Sequence, residues 1–280
     1  MLIGDMRPTT LDGVKSLAAQ LRRDSGLKHS VALDLAARAA NCANYTHARR
    51  LLPTKAPGKG KPYLLLTAYW MDRKKRYSRG RETIKIELSR PLLDICDKAT
   101  LKQARGFGDL RMVAGDHFVC DTPAPTQETA RNWLMSAERS LRFIERSGLI
   151  PTRDYRKAYP DGRDELRLPG QDHATDWVDP ATGQFILVDE PYRGVPNEGE
   201  RSAWEQKTGW RVIRTDWPGM YNPYACDLYV ATDARGGYDL AALAQRISAM
   251  PPPLREEEWK GESADDWDTY LSPMARTPQD

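Results

Sequence analysis

Residues 63–90, YLLLTAYWMDRKKRYSRGRETIKIELSR, decide the fold class of this chain. The segment opens with a mostly apolar run, and further on Ile84, Ile86 and Leu88 alternate with charged residues. Alternation with a period of two is typical of a strand that buries one side and exposes the other to water. The basic stretch between the two segments suits a turn. The sequence therefore predicts an antiparallel hairpin with a basic tip.

Helices are predicted on both sides of this hairpin, from apolar residues spaced three or four apart and from capping residues. The predicted helices are 9–26, 30–41, 44–52, 126–147, 197–208 and 239–249. The apolar stripe expected in the fourth of these consists of Ala130, Trp133, Leu134, Ala137, Leu141 and Ile144. Further extended segments are predicted at 109–121, 173–192, 210–217 and 226–233.

Strands that come in hairpins with helices between them favour the α+β class, with a mainly antiparallel sheet and flanking helices. We predict a small N-terminal three-helix bundle at 1–52, a linker rich in proline, glycine and lysine at 53–62, and an α+β domain at 63–253. The remaining residues, 254–280, form an acidic tail. The tail is either disordered or held against the body through Trp259 and Trp267.

The charge of the chain is divided unevenly. Residues 1–90 carry 19 lysines and arginines against 7 acidic residues, whereas residues 255–280 carry 3 against 8. Such a split suggests a basic first part that meets a polyanion and an acidic tail that competes for the same surface. The alternative is that the charges only solvate opposite faces of the molecule.

Several classes of protein are not expected. No apolar run approaches the roughly 20 residues that cross a bilayer, and the first residues lack the pattern of a secretory signal, so we expect a cytoplasmic protein without a membrane partner. The four cysteines, Cys42, Cys96, Cys120 and Cys226, are isolated along the chain, which favours buried free thiols over a zinc site or disulfides. Neither a dinucleotide fingerprint nor a phosphate-binding loop occurs, so neither a cofactor nor a metal is predicted.

The hairpin tip is the first candidate site. It gathers six cations around Tyr77, and these are Arg73, Lys74, Lys75, Arg76, Arg79 and Arg81. A basic β-arm neutralises several phosphates at once, and the tyrosine is available to stack on a base. A basic tip is also an ordinary way of keeping a turn hydrated, and that interpretation stays open.

The second and third helices resemble a helix-turn-helix, which would place Arg49 and Arg50 of the third helix near a DNA groove. The turn between them, ANCAN, lacks the usual glycine, and few residues of the third helix are able to contact base edges. The alternative is a helical module that docks on its own body or on a protein partner.

Residues 173–192, HATDWVDPATGQFILVDEPY, form the second candidate site. Asp179 to Gly183 has the composition of a turn, and the apolar run after it predicts a strand buried on both faces. If Val178 pairs with Gln184, His173 lies opposite Asp189. A histidine held by a carboxylate is the arrangement of a general base, and two such groups also ligate metals.

The candidate catalytic residues of this second site are His173, Asp176, Asp189, Glu190 and Tyr192. The loop at 217–224, which contains Trp217, Tyr221 and Tyr224, could form a wall of the same pocket. The structural alternative is that Asp189 or Glu190 caps a neighbouring helix or pairs with an arginine.

Residues 14–53 also resemble a short N-terminal module of proteobacterial proteins carried on plasmids and integrative elements. The residues that carry the resemblance are His29-Ser30, the stretch Ala32 to Ala36, and Asn44-Tyr45. Residues 177–192 and 217–230 look like the remainder of one such family, which is known only as a domain of unknown function. The resemblance implies a mobile-element context and assigns no chemistry to any residue.

Three functions follow as hypotheses. The first is a non-enzymatic accessory or regulatory protein of a bacterial mobile element that binds nucleic acid through the basic hairpin and the N-terminal helices. The second is a hydrolase or transferase that uses the cluster at 173–192. The third is a protein-interaction module whose N-terminal helices dock on a partner.

Overall fold

The computed structural model describes residues 8–52, 61–75, 78–154, 157, 159–254 and 256–264. Within those ranges the protein is of the α+β class, with eight α-helices and two five-stranded sheets. The predicted class and the mainly antiparallel pairing are confirmed. One sheet was predicted, whereas the strands are divided between two.

The helices are α1 (Leu11–Ser25), α2 (His29–Ala39), α3 (Tyr45–Leu51), α4 (Leu92–Ile95), α5 (Lys98–Leu101), α6 (Gln127–Ser147), α7 (Glu198–Thr208) and α8 (Leu240–Ser248). The strands are β1 (Tyr63–Asp72), β2 (Ser78–Glu87), β3 (Leu110–Ala114), β4 (His117–Ala124), β5 (Ile150–Pro151), β6 (Thr175–Val178), β7 (Phe185–Asp189), β8 (Trp210–Arg214), β9 (Tyr229–Asp233) and β10 (Glu262–Ala264). Among the described residues, none of the helices is long and apolar enough to cross a membrane.

The chain forms two compact units. The first comprises 1–94, 109–134 and 258–280, and the second comprises 95–108 and 135–257. The predicted domain boundaries stay predictions. Most of the predicted linker and the end of the predicted acidic tail, residues 265–280, lie outside the described residues.

Helices α1–α3 open the first unit. The Thr10 side chain caps α1 by accepting the Gly13 N–H, and Gly26 ends that helix in the left-handed conformation. Asn44 caps α3 in the same way, by accepting the His47 N–H. The apolar faces of the three helices share one buried cluster with Tyr69, Val113 and Val119 of the sheet. Whether α1–α3 form a separate module stays a prediction.

The sheet of the first unit has the strand order β10-β2-β1-β4-β3. Strands β1 and β2 form the predicted antiparallel hairpin, and β1 and β4 are parallel. Strand β10 pairs antiparallel with β2, at the sheet edge, so part of the predicted tail belongs to the fold. Trp259 lies against Arg131 of α6, whose guanidinium carbon is 5.5 Å from the ring centroid.

A buried carboxylate ties this edge together. Glu82 of β2 has no exposed surface, and its oxygens accept hydrogen bonds from Trp70, Gln127, Arg131 and Ser263. Four donors from β1, α6 and β10 offset the cost of removing the charge from water. Glu82 therefore acts as a structural tie between the hairpin, the helix and the C-terminal strand.

The sheet of the second unit has the order β5-β6-β7-β9-β8, and every pair in it is antiparallel. On one face, Leu187 and Ala231 pack with Trp204 of α7. On the other face, Trp177 lies edge-on to Phe143 of α6, with ring centroids 4.7 Å apart. Helices therefore cover both faces of this sheet, which explains why the apolar run at 185–188 shows no alternation.

Helix α6 follows the prediction closely, with one exception. Thr126 caps the helix through the Thr129 N–H, and the predicted stripe residues Ala130, Leu134 and Ala137 are all fully buried. Trp133 is 37 % exposed, contrary to the prediction that it belongs to the stripe. Its position lies about 60° from that of Ala130 around the helix, on the stripe side, so periodicity alone does not distinguish it from its buried neighbours.

All four cysteines are free and buried, as predicted from their spacing. Burial raises the pKa of Cys96 and that of Cys226 to about 11. Both thiols are therefore protonated at neutral pH, and neither is poised as a nucleophile or as a thiolate ligand.

Candidate functional site

The turn between β1 and β2 is held by an aspartate. Asp72 Oδ1 accepts hydrogen bonds from the backbone N–H groups of Lys74 and Lys75, at 2.9 and 3.3 Å. Ser78 N donates to the Lys75 carbonyl at 2.9 Å and closes the turn. This backbone arrangement leaves the side chains of Arg73, Lys74 and Lys75 exposed. Arg76 and Tyr77, which the sequence also placed at the tip, lie outside the described residues.

Strand β2 continues the basic surface along one face of the sheet. Arg79, Arg81 and Lys85 occupy alternate positions and therefore point to the same side. That side is partly exposed along β2, whereas Glu82, Ile84 and Ile86 on the opposite side are buried. Arg79 and Arg81 thus belong to the strand and not to the predicted tip, because β2 begins at Ser78.

We call the set Arg73, Lys74, Lys75, Arg79, Arg81 and Lys85 the basic hairpin surface. Lys85 was not among the predicted site residues, although it is an even number of residues from Arg79 and Arg81 and would therefore share their side of a strand. Its Nζ lies 4.7 Å from the ring centroid of Tyr63. Among the described residues, no ion pair is formed by Arg73, Lys74 or Lys75, so the three turn cations can meet an external anion without first breaking one.

A buried histidine lies on the same face of the sheet. His117 Nε2 is 2.9 Å from Thr67 Oγ1, and Thr67 Oγ1 is 2.9 Å from Thr83 Oγ1. Burial, together with the charge of Arg81, lowers the pKa of His117 to about 4. His117 is therefore neutral near pH 7, and the charge of this face comes from its arginines and lysines.

The third helix carries the other predicted cations. Arg49 and Arg50 are exposed in the last turn of α3. The turn before the helix is well ordered: Asn44 Oδ1 accepts the His47 N–H at 2.8 Å, and His47 Nδ1 accepts the Ala43 N–H at 3.0 Å. His47 is therefore a capping residue. The role of Arg49 and Arg50 in a DNA groove stays a prediction.

The second candidate site lies in the second unit, and the predicted register of its hairpin is wrong by one residue. Val178 pairs with Phe185 and not with Gln184. The reason is the loop, in which Asp179 N donates to the Gln184 carbonyl and Gly183, at φ +74°, donates to the Asp179 carbonyl. Gln184 thus closes the loop, and the strand begins one position later than predicted.

His173 consequently does not face Asp189 across a ladder. Strand β6 begins at Thr175, and His173 adopts a left-handed backbone with φ +51°. Its Nε2 is 3.3 Å from Asp172 Oδ2, and its ring stacks on Tyr221 with centroids 3.7 Å apart. The ring of Tyr192, which is 40 % exposed, lies edge-on to His173 at 5.6 Å.

Asp189 forms a buried ion pair with an arginine, which is the structural alternative considered for this carboxylate. Its Oδ2 accepts from Arg201 of α7 at 2.7 Å, and its Oδ1 accepts the Asp172 N–H at 2.8 Å. Arg201 also donates to the carbonyls of Pro169 and Gly170. Burial raises the pKa of Asp189, and its two donors oppose that shift. The pair fixes the loop before β6 to helix α7.

Glu190 belongs to a second clamp on the opposite side of the strand. Its Oε2 accepts the N–H groups of Met220 and Tyr221 at 2.6 and 2.7 Å. Arg139 of α6 donates to the carbonyls of the same two residues, at 2.8 and 3.5 Å. The Glu190 carboxylate thus accepts from the backbone N–H groups of this loop, and the Arg139 guanidinium donates to its backbone carbonyls. Glu190 has no exposed surface, and burial raises its pKa.

Glycine is required in the loop that this clamp holds. Gly219 has φ +99°, and a Cβ there would collide with the Glu190 carboxylate. Arg105 adds a further contact, because its guanidinium carbon lies 4.9 Å from the Tyr221 ring centroid and its NH2 donates to the His173 carbonyl at 2.8 Å. Sequence reasoning missed Arg105, Arg139 and Arg201, since no local pattern marks them.

Asp176, the remaining predicted catalytic residue, lies on β6 opposite Leu187. Burial raises its pKa, and the charge of Asp154 acts in the same direction. Among the described residues, no group of three histidines, cysteines or carboxylates is arranged to hold a metal ion. The five predicted catalytic residues at 173–192 are thus close in sequence, but each makes contacts with different partners.

Comparison with known proteins adds no assignment: no family model, no curated protein and no solved structure matches this chain. The resemblance of residues 14–53 to a mobile-element module therefore stays a prediction.

Proposed function

We propose that the first unit binds nucleic acid through the basic hairpin surface, without catalysing a reaction. The observation that carries the proposal is the shared orientation of Arg79, Arg81 and Lys85 on the partly exposed side of β2, next to the turn cations at 73–75. Cations spaced along a strand and its turn match the repeated negative charge of a phosphate backbone. The resemblance of residues 14–53 supports an accessory or regulatory role on a bacterial mobile element.

The chemistry of this surface favours contact with the backbone over recognition of a base sequence. Its members are long cationic side chains, whereas sequence is recognised mainly through base edges in the grooves. Arg49 and Arg50 of α3 are exposed and would extend the same electrostatic attraction. We therefore expect binding with weak sequence preference and a steep dependence on salt.

The contacts of the second unit give less support to an enzyme. Asp189 is paired with Arg201, and Glu190 holds two backbone N–H groups while having no exposed surface. A general base needs a path to its substrate. His173 and Tyr192 are exposed in part, but the carboxylate nearest to His173 is that of the neighbouring Asp172. The function of a protein-interaction module stays an alternative, for which exposed Val31 and Leu51 on α2 and α3 are the candidate contacts.

The test is a triple substitution in the turn, Arg73→Ser, Lys74→Ser and Lys75→Ser, measured by the binding of a labelled mixed-sequence oligonucleotide, single-stranded and duplex. The slope of log Kd against log salt, between roughly 50 and 200 mM, should become shallower by about 2 to 3 for duplex DNA, which corresponds to about three lost phosphate contacts.

The matched control removes the same charge from the second unit, through Arg167→Ser, Lys207→Ser and Arg246→Ser. These three cations are exposed and form no ion pair among the described residues. The control should keep the wild-type slope. Equal slopes for the wild type, the turn variant and the control would overturn the proposal.

A further inference from the structure

An aromatic side chain lies at the end of the basic hairpin surface that is farther from the turn. Lys85 of β2 pairs with Leu65 of β1, and Tyr63, two residues earlier in β1, points to the same side of the sheet. Lys85 is exposed, and Tyr63 and Leu65 are exposed in part. Farther along the same face, Tyr69 and Val119 pack with helices α1–α3. The open part of this face therefore presents a ring and an apolar side chain next to its cations.

The Tyr63 ring is held by its hydroxyl group, whose oxygen lies 3.3 Å from Thr9 Oγ1. The Thr9 hydroxyl in turn donates to Asp116 Oδ2 at 3.1 Å. The Lys85 ammonium lies over the ring, 4.7 Å from its centroid, where the negative face of the ring attracts it. Because a lysine has a flexible four-carbon stem, this cation can leave the ring to a planar group and move to a nearby phosphate. The ring is therefore oriented for stacking before a ligand binds.

The cations of this face end beside the ring. The residue that pairs with Tyr63, Glu87, is acidic, and its carboxylate lies 3.5 Å from Lys61 Nζ. From Ser78 to Lys85 the strand β2 advances by seven residues, or about 23 Å at a rise of about 3.3 Å per residue. A nucleic acid strand that follows the cations from the turn thus reaches the ring after several nucleotides, which suits the roughly 4 to 16 nucleotides that a single-strand-binding surface covers.

We propose that the nucleic acid bound by the basic hairpin surface is single-stranded and that one of its bases stacks on Tyr63. This inference rests on the proposed function and names its ligand class. In a duplex the faces of each base are covered by neighbouring bases, so an aromatic side chain on a sheet contacts a base face only where the strand is unpaired and unstacked. Lys85, displaced from the ring, then contacts the phosphate backbone.

The experiment compares three labelled ligands on the wild-type chain: a single strand of about ten thymidines, a strand of the same length that lacks the bases, and a duplex of the same length. The thymidine strand should bind with a Kd about tenfold lower than that of the abasic strand, because both carry the same phosphates and only one has bases to stack. It should also bind more tightly than the duplex, although the duplex has the higher charge density.

Two substitutions of Tyr63 separate stacking from other roles of this side chain. Tyr63→Leu removes the ring and should reduce the preference for the thymidine strand to about twofold or less, whereas Tyr63→Phe keeps the ring and should keep most of the preference. The matched control is Tyr229→Leu in the second unit, because Tyr229 is also a partly exposed strand tyrosine with a cation, Arg201, over its ring. This control should keep the full preference, and thermal unfolding checks that each variant is folded.

A crosslink locates the base without any substitution in the protein. A thymidine strand with one 5-iodouracil, irradiated on the wild-type chain, should crosslink to Tyr63 in the peptide that covers β1. A crosslink confined to peptides of the second unit would contradict the inference.

The outcomes distinguish the inference from the proposed function. If the turn substitutions make the salt dependence shallower but the thymidine strand has no advantage over the abasic strand or the duplex, the inference is wrong and the function stands. If Tyr63→Leu keeps the tenfold preference, or if Tyr63→Phe loses as much of it as Tyr63→Leu, stacking on this ring is also wrong. If the turn variant keeps the wild-type salt dependence with all three ligands, the proposed function itself fails.

Discussion

Single residues in the second unit have structural roles that their local sequence does not reveal. Asp189 follows a buried apolar run, a position at which a carboxylate needs a partner. The partner, Arg201, comes twelve residues later on α7, and only the fold brings the two together at 2.7 Å. The need for a partner could thus be inferred from sequence, whereas its identity depends on the packing of the helix on the sheet.

The buried pair gives the first prediction. Arg201→Met should lower the free energy of unfolding by about 3 to 5 kcal/mol, because it leaves the Asp189 charge buried without its partner. Adding Asp189→Asn to this variant should recover part of the loss. The pair between the exposed Arg193 and Asp227 provides the control: Asp227 keeps a second partner in Arg214, so Arg193→Met should cost about 1 kcal/mol or less. Urea unfolding measures all four proteins, and equal losses for the two arginine variants would contradict the prediction.

The buried Glu190 gives a prediction about pH. Burial raises the pKa of Glu190 in the folded protein above the unfolded value of about 4.3. The contribution of the protonated carboxyl to the free energy of unfolding is therefore fully present at low pH and is lost as pH rises through the folded pKa. Glu190→Gln removes this titration. The unfolding free energy of the variant minus that of the wild type should therefore increase as pH rises above about 4. A difference that stays constant between about pH 4 and pH 7 would show that the pKa is not raised.

At the scale of elements, local signals predict helices better than strand register. The caps Thr10, Asn44 and Asn197 act as their sequence positions indicate, because a cap bonds to groups two or three residues away. The register at 173–192 depends instead on which loop residue closes the turn. Gln184 takes that place, and its side chain also bonds to Thr232 of β9, a contact that the local sequence does not contain.

The packing of β10 on β2 gives an element-scale prediction. Gly80→Ala should destabilise the protein by about 1 to 3 kcal/mol, because the added Cβ would meet the Trp70 ring and the Ala264 carbonyl. The release of β10 should also speed proteolysis near Trp259. Gly115→Ala is the matched control, since a Cβ at Gly115 meets nothing within 4 Å. Thermal unfolding and limited proteolysis check both variants. A fully stable Gly80→Ala protein would mean that β10 is not held against Gly80.

At the scale of the whole molecule, the class was predictable and the division of the strands was not. Hairpin patterns in the sequence suffice to predict the α+β class. They do not predict that β1 pairs in parallel with β4, about fifty residues later in the chain. Strand β10 joins the same sheet from a segment whose composition resembles a tail. Pairings of this kind depend on long-range packing, for which neither periodicity nor turn chemistry is a signal. The basic hairpin could be predicted because its signal lies within one continuous stretch.

The two units also allow the proposed function to be located within the chain. Hydrogen exchange of the full chain, with and without a mixed-sequence oligonucleotide, should slow in peptides that cover 63–87, because bound nucleic acid restricts the opening of the hairpin. Peptides that cover 173–192 should exchange at an unchanged rate, since Asp189 and Glu190 already hold that region through Arg201 and the 219–221 loop. The turn variant with three serines serves as control and should show less slowing at 63–87 than the wild type, because it keeps Arg79, Arg81 and Lys85 but lacks the turn cations. Slower exchange centred on 173–192 would instead assign binding to the second unit, with the polar cluster at 173–192 as the functional site.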